Sequence, residues 1–340
     1  MGELLAVDLG GDQRRRQVVT GIGQPLGGQA LHQGGELQAG GEERGQGVVE
    51  DVLDSARRTA EAGDGSIDVV ADIAAPIPLR VICDMMGVPE EDRALVLAQS
   101  NIVLSGGDPE LIENQDDPLT AFLEAGMALA GVMERLAAER LERPTDDLTT
   151  ALVRSEVDGE RLTHAEIASF FILLLVAGNE TTRNAISQGV LALSENPDQR
   201  DRWMADPSID RTAVEEIVRW ASPVTWMRRT ATRDGELGDF RFRAGDKFLL
   251  FYAAANRDPA VFRDPHVFDL ARDPNPHVGF GGHGPHFCLG AHLARREIAV
   301  TFQALFDQLP DLEVTGQPDR LRSSFVNGIK RLPARLTGVR

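Results

Sequence analysis

Positive charge is scarce in this chain: 35 lysines and arginines face 53 acidic residues, which leaves a formal charge of −18 over 340 residues. Nucleic-acid binding and adsorption to anionic membranes both need a basic surface, so neither is expected, and small molecules or proteins are the expected partners. Cysteine is nearly absent. Cys83 and Cys288 are the only two, far apart and without CxxC spacing, which excludes a disulfide framework or a zinc knuckle and fits a reducing cytoplasm. Long apolar runs are missing as well. The most apolar, Phe170 to Gly178, is too short to cross a bilayer, and the N-terminus has no basic segment followed by an apolar one, so neither a membrane anchor nor a secretion signal is expected. There is no internal repeat.

What is there is ordinary globular material, 42% hydrophobic, in a chain long enough for one large core or two domains. Residues 1–48 stand apart: Gly, Gln, Glu and Arg dominate, no helical or strand period persists, and the segment is expected not to pack a core. From residue 49 onward the texture is that of helices with apolar stripes, near 49–62, 67–86, 91–104, 117–142 and 163–194, then 197–205 and 210–221. At Thr230 the pattern changes. Thr230-Ala231-Thr232, Phe240-Arg241-Phe242 and Phe248 to Tyr252 alternate around turn residues and predict short strands. A Pro/Gly-rich loop from about 258 to 287, a helix near 290–308 and a hairpin turn at Asn327-Gly328 complete the reading, which is mainly α with a small β region.

Two constellations carry chemistry. Phe280-Gly281-Gly282-His283-Gly284-Pro285-His286-Phe287-Cys288-Leu289-Gly290 delivers one cysteine on a glycine-rich turn to the start of a helix. Helix-terminal amides stabilise a thiolate, and glycines let the backbone approach a flat macrocycle closely. A lone cysteine is otherwise an inert buried thiol. In Ala177-Gly178-Asn179-Glu180-Thr181-Thr182, small residues, an acid and a threonine interrupt an apolar helix. The Thr181 hydroxyl lies four residues after Ala177, within reach of its carbonyl, where such a bond bends a helix and opens space beside Gly178. Glu180 is placed to relay protons from solvent; the plain alternative is a surface pair with Arg183.

Together these stretches resemble the haem-binding loop and the oxygen-activating helix of the cytochrome P-450 family, over almost everything after residue 48. The resemblance implies that fold and a haem b whose iron is bound by the Cys288 thiolate, with Gly284 and Gly290 shaping the loop. Such a ligand pushes electron density onto iron and favours O–O cleavage. It implies that Ala177, Gly178, Glu180 and Thr181 serve dioxygen and its protons. It further implies a Glu216–Arg219–Arg272 network holding the cysteine loop, haem-propionate contacts from Arg229 and His286, and Val224, Trp226 and Met227 lining a cavity for a hydrophobic substrate. Ile167 to Trp203, Glu215 to Asp234 and Asn275 to Ile298 resemble most the actinobacterial methyl-branched lipid omega-hydroxylases and cholest-4-en-3-one 26-monooxygenases. Ferredoxin and ferredoxin reductase are the implied electron donors; a basic patch near Arg295 and Arg296 is placed to meet them, and an exposed helix face explains those arginines equally well.

Two departures stand out. Phe280 is eight residues before Cys288 where the family usually has seven. Family members also carry about sixty to a hundred more residues ahead of the position of Val48, so the fold is expected to be N-terminally incomplete, with residues 1–48 read from another frame or start. Two competing expectations follow, a haem-poor or inactive fragment of the same fold and an all-α small-molecule binding protein.

Overall fold

The computed structural model describes residues 29–104, 108, 110, 117–157, 159–282, 284 and 286–338, with side chains from residue 45 except those of 104 and 157. Residues 1–28 of the atypical N-terminal segment lie outside the described residues. Helix α1 (Gln29–Ala62) begins well ahead of the first apolar stripe and buries Val49, Val52, Leu53, Ala56 and Ala60 in its second half. Once that half is packed, each further residue adds one hydrogen bond at little cost, which extends the helix into sequence without a period of its own.

The expected helix at 67–86 is broken in three: strand β1 (Ser66–Asp68), a π-helical turn (Val69–Ala74) capped by the Asp68 carboxylate, and α2 (Pro76–Met86). Helices α3 (Glu90–Leu104) and α4 (Pro118–Glu142) match their stripes. Between α4 and the next long helix, α5 (Leu148–Arg154) and the hairpin of β2 (Glu156–Val157) with β3 (Glu160–Arg161) were not anticipated. A long rod follows, α6 (His164–Leu174), a π-helical turn (Leu175–Asn179) and α7 (Glu180–Glu195). Thr163 and Glu166 start it with reciprocal side-chain-to-backbone bonds of 3.2 and 2.9 Å.

Helices α8 (Pro197–Ala205) and α9 (Asp210–Ala221) lead to the β region. There β4 (Trp226–Thr230) pairs antiparallel with β7 (Lys247–Phe251) around the hairpin β5 (Gly235–Leu237) and β6 (Phe240–Phe242). The strand therefore ends at Thr230 where the alternation was expected to begin. One-turn α10 (Tyr252–Ala255), the long loop and α11 (Ala291–Gln308) precede β8 (Leu312–Val314), β9 (Asp319–Arg320), β10 (Ile329–Arg331) and β11 (Pro333–Leu336). Asn327-Gly328 closes no tight turn; it ends the loop between β9 and β10, with Leu321 N–H donating to the Gly328 carbonyl at 3.0 Å.

Two apolar cores flank the rod. One joins α1, α7, α9, α11 and β11 and includes Trp203 stacked near Phe302 and Phe306, with ring centroids 5.1 and 5.2 Å away. The other gathers Cys83, Met86, Leu129, Met133, Ile167 and Phe171 from α2, α4 and α6. Among the described residues the rod, His164–Glu195, is the one helix long and apolar enough to cross a membrane. It nevertheless carries buried Glu180, Arg183, Asn184, Ser187 and Gln188 and packs between the cores.

Gly87 ends α2 in the left-handed region at φ +72°, and a Cβ there would lie 2.1 Å from the Asp147 carboxylate, which Arg140 Nε holds at 2.5 Å. The substitution Gly87→Ala is expected to cost at least ~2 kcal/mol by chemical denaturation, from backbone strain plus displacement of that buried pair.

Candidate active site

The glycine-rich loop is held at both ends. Val278 N–H donates to Asn256 Oδ1 at 2.8 Å, and Asn256 Nδ2 donates to Ser222 Oγ at 2.9 Å, so the entry is fastened to the end of α9. Gly281 takes φ +85° and Gly284 φ +133°, turns that side chains disfavour. The chain then reverses far enough for Cys288 N–H to donate to the Phe280 carbonyl at 3.0 Å. Gly290 is the N-cap of α11, so Cys288 stands just before the positive end of an 18-residue helix. Burial pushes the half-buried Cys288 thiol up, against the Gly290 amide and Arg295, which pull it down.

This arrangement fits a haem. A haem iron takes a single protein sulfur, which Cys288 offers at the helix start. Phe287 and Leu289 flank the cysteine with 43% and 63% of their surface exposed, and a Cβ at Gly282, Gly284 or Gly290 would meet nothing within 4 Å. A flat apolar partner needs such open apolar flanks.

On the rod, Thr181 Oγ1 donates to the Ala177 carbonyl at 2.6 Å, as its spacing predicts, and the helix widens into the π-turn at Leu175–Asn179. Gly178 lets α2 approach, since a Cβ there would lie 2.9 Å from Ile82 Cδ1. Glu180 does pair with Arg183, at 2.5 Å, but not on the surface: it is 1% exposed. Its Oε1 also accepts from Asn184 Nδ2 at 2.7 Å, while Oε2 has no partner among the described residues. Asn184 Oδ1 in turn accepts from Ile329 N–H at 2.9 Å. Asn179 is fully buried, and among the described residues neither of its amide atoms has a partner. Thr182 bonds the buried Glu297 carboxyl of α11, which burial pushes up to about 8.

Glu216, Arg219 and Arg272 come together in the interior, the first two fully buried. Arg219 Nε and Nη2 each donate to the Glu216 carboxylate at 2.7 Å, and Arg272 Nε donates to it at 3.1 Å. The same carboxylate accepts from Asp269 N–H at 2.9 Å and Asn275 Nδ2 at 3.0 Å, which ties the loop ahead of the cysteine to α9. Val224 bridges Val326, and Trp226 donates its indole N–H to the Ser324 carbonyl at 2.9 Å and packs edge-on against Phe325. Val224, Trp226 and Met227 are all half-buried.

Other expected residues stay apart. Arg229 and His286 are exposed, and the described bond of Arg229 Nη1 runs to the Arg228 carbonyl at 3.0 Å. Phe280 lies under the Arg295 guanidinium at 4.3 Å. Arg295 turns inward onto Glu215, which leaves Arg296 as the outward member of the expected basic patch. Sequence reasoning missed Asn184, Glu215, Asn256, Asn275, His277 and Glu297; the doubled acid at Glu215-Glu216 was the one local signal, and the rest depend on partners remote in the chain.

Fold and loop together define a haem-thiolate type of protein, and the comparisons agree: the chain belongs to the cytochrome P-450 family. The family model, Cytochrome P-450, matches residues 210–330. The chain is 55% identical over 271 residues to a methyl-branched lipid omega-hydroxylase of Mycobacterium tuberculosis, covering 79% of this chain and 62% of that protein. It is 42% identical over 298 residues to a steroid C26-monooxygenase of Mycolicibacterium smegmatis, covering 87% and 68%. A cytochrome P-450 of Mycobacterium marinum solved in complex with pseudoionone shares the fold with a TM-score of 0.84 at 42% identity, over 95% of this chain and 76% of that one. The chain thus spans somewhat under two thirds of the length of the lipid hydroxylase it matches.

Proposed function

We propose that this chain carries the haem-thiolate centre of a monooxygenase that hydroxylates the terminal methyl of a branched lipid or a sterol side chain. The observation that carries the reading is the Cys288 sulfur, set before α11 between exposed Phe287 and Leu289. The names of the two relatives, a lipid omega-hydroxylase and a steroid C26-monooxygenase, support the substrate class. Haem b held by Cys288 would supply dioxygen binding and oxygen transfer: substrate C–H, dioxygen, two electrons and two protons give alcohol and water. Cytoplasmic ferredoxin and ferredoxin reductase are the electron donors in this reading, in keeping with the two free cysteines.

The protein's part is position and proton access. Thr181 commits its hydroxyl proton to the Ala177 carbonyl, so Oγ1 is left to accept a hydrogen bond from water on its open side. Arg183 and Asn184 fix Glu180 Oε1, and among the described residues Oε2 is left to accept a further hydrogen bond. Arg229 and His286, exposed, are free to meet carboxylates of a bound cofactor. Half-buried Val224, Trp226 and Met227 offer apolar surface to the substrate.

A carbon monoxide difference spectrum of the reduced, haem-loaded chain tests the reading. A thiolate-type Soret band is expected for the parent and its loss for Cys288→Ala. An identical band in the variant would overturn the proposal, a thiol-type band in the parent would point to a damaged fragment, and no haem uptake would point to a binding protein.

A further inference from the structure

One residue before the buried Glu216, Glu215 reaches from α9 to two other elements. Its Oε2 faces His277 Nε2 at 2.6 Å, and Arg295 of α11 donates through Nε to Oε1 at 2.5 Å and through Nη2 to Oε2 at 3.2 Å. His277 is enclosed, with its side chain 2% exposed, and its Nδ1 accepts from Gly279 N–H at 3.1 Å. That bond assigns the ring proton to Nε2, where it points at Glu215. Burial pushes the Glu215 carboxyl up, yet the hydrogen bonds from His277 and Arg295 outweigh it and bring the group to about 2, so Glu215 is a carboxylate that accepts from both.

Each partner then touches the turn that carries the cysteine. The Arg295 guanidinium lies 4.3 Å over the Phe280 ring, the His277 ring lies 5.9 Å from it, and the Phe280 carbonyl receives Cys288 N–H. Gly279 is what permits this closeness: a Cβ there would lie 2.6 Å from Val218 Cγ1 of α9 and 3.2 Å from His277 Nδ1.

We infer that Glu215, His277 and Arg295 form a bracket that positions Cys288: it clamps α9, the loop entry and the first turns of α11 around Phe280, and so sets the direction in which the sulfur faces. His277 is a positioning residue in this scheme, acting through the Phe280 carbonyl. The inference rests on the haem-thiolate reading for its consequence, not for its geometry.

Two measurements on the full chain test it. His277→Phe keeps the ring volume and removes both nitrogens, His277→Gln restores a donor toward Glu215, and Arg295→Lys keeps the charge without the fork. In the haem-loaded, reduced, carbon monoxide-bound protein the ratio of thiol-type to thiolate-type band is expected to rise about tenfold in His277→Phe and to return most of the way in His277→Gln, as suits loss and recovery of one hydrogen bond to a charged group. In the haem-free chain at fixed pH, the alkylation rate of Cys288 is expected to change by a similar factor of about ten, read without interference because Cys83 is fully buried. His277→Phe with parental helix content, parental band ratio and parental alkylation rate would overturn the inference. If His277→Phe does not fold, Arg295→Lys decides by the same alkylation assay: a shifted rate supports the bracket and an unchanged one refutes it. A parent without a thiolate-type band defeats the haem reading alone, since the alkylation comparison still tests the bracket.

Discussion

Arg219→Met is expected to lose about 3–5 kcal/mol of folding stability, the usual consequence of leaving a buried carboxylate short of its partner. Arg219 is fully buried and uses all five of its donors: two go to Glu216, and the others reach the carbonyls of Asn256, Pro265 and Val267 at 2.8, 2.9 and 3.2 Å. Methionine fills much of the volume and satisfies none of these acceptors. Glu216, equally buried, would keep Arg272, Asn275 and the Asp269 amide. Arg219→Lys is expected to recover little, because one ammonium cannot span the carboxylate and three carbonyls. The double variant Glu216→Leu with Arg219→Met should lose less than the sum of the singles, since the orphaned charge is removed with its partner. Urea denaturation of the three variants measures this cycle, and strict additivity would mean that the two residues are not coupled.

That network was legible only in outline. Glu216 and Arg219 sit three apart on a helix, a spacing found on any solvated surface, and what separates them from a surface pair is burial by Phe262 and Trp220, which α9 alone does not announce. The helices with long apolar stripes were readable because packing repeats every turn. Short α5 was not, because two of its three buried positions are Thr149 and Thr150, which bury polar atoms by bonding the Met86 carbonyl at 2.6 Å and the Thr145 amide at 3.1 Å. Strand β1 was hidden for another reason: its partner β11 lies at the opposite end of the chain, and three residues carry no period. The same distance hid the site's supports. Thr181 and Ala177 could be paired from spacing alone, whereas His277 with Glu215, or Asn184 with Ile329, are contacts that only the folded chain creates.

A buried acid without a cation makes stability depend on pH in a direction opposite to the usual acid denaturation. Glu297 lies on α11, 6% exposed, with Oε1 unpartnered among the described residues and its folded value pushed from 4.5 to about 8 by burial, against one bond from Thr182. The unfolded chain therefore loses this proton near pH 4.5 while the folded chain keeps it to about pH 8. The unfavourable contribution is absent below pH 4.5, grows by about 1.4 kcal/mol per pH unit across that window, and is complete above it. Glu215, whose folded value is lowered to about 2, acts on the other side: its contribution is present above 4.5 and is lost as pH falls through about 2. Glu297→Gln keeps the shape and the neutral state at every pH. It is expected to match the parent near pH 4.5 and to exceed it at pH 8.5 by on the order of 3–5 kcal/mol, with the Glu215 limb common to both proteins and cancelling. Denaturation midpoints of the two proteins from pH 4.5 to 8.5 read the divergence directly. Parallel curves across the window would mean that Glu297 ionises in the folded chain as readily as in the unfolded one, and that the α7–α11 interface admits enough water to solvate it.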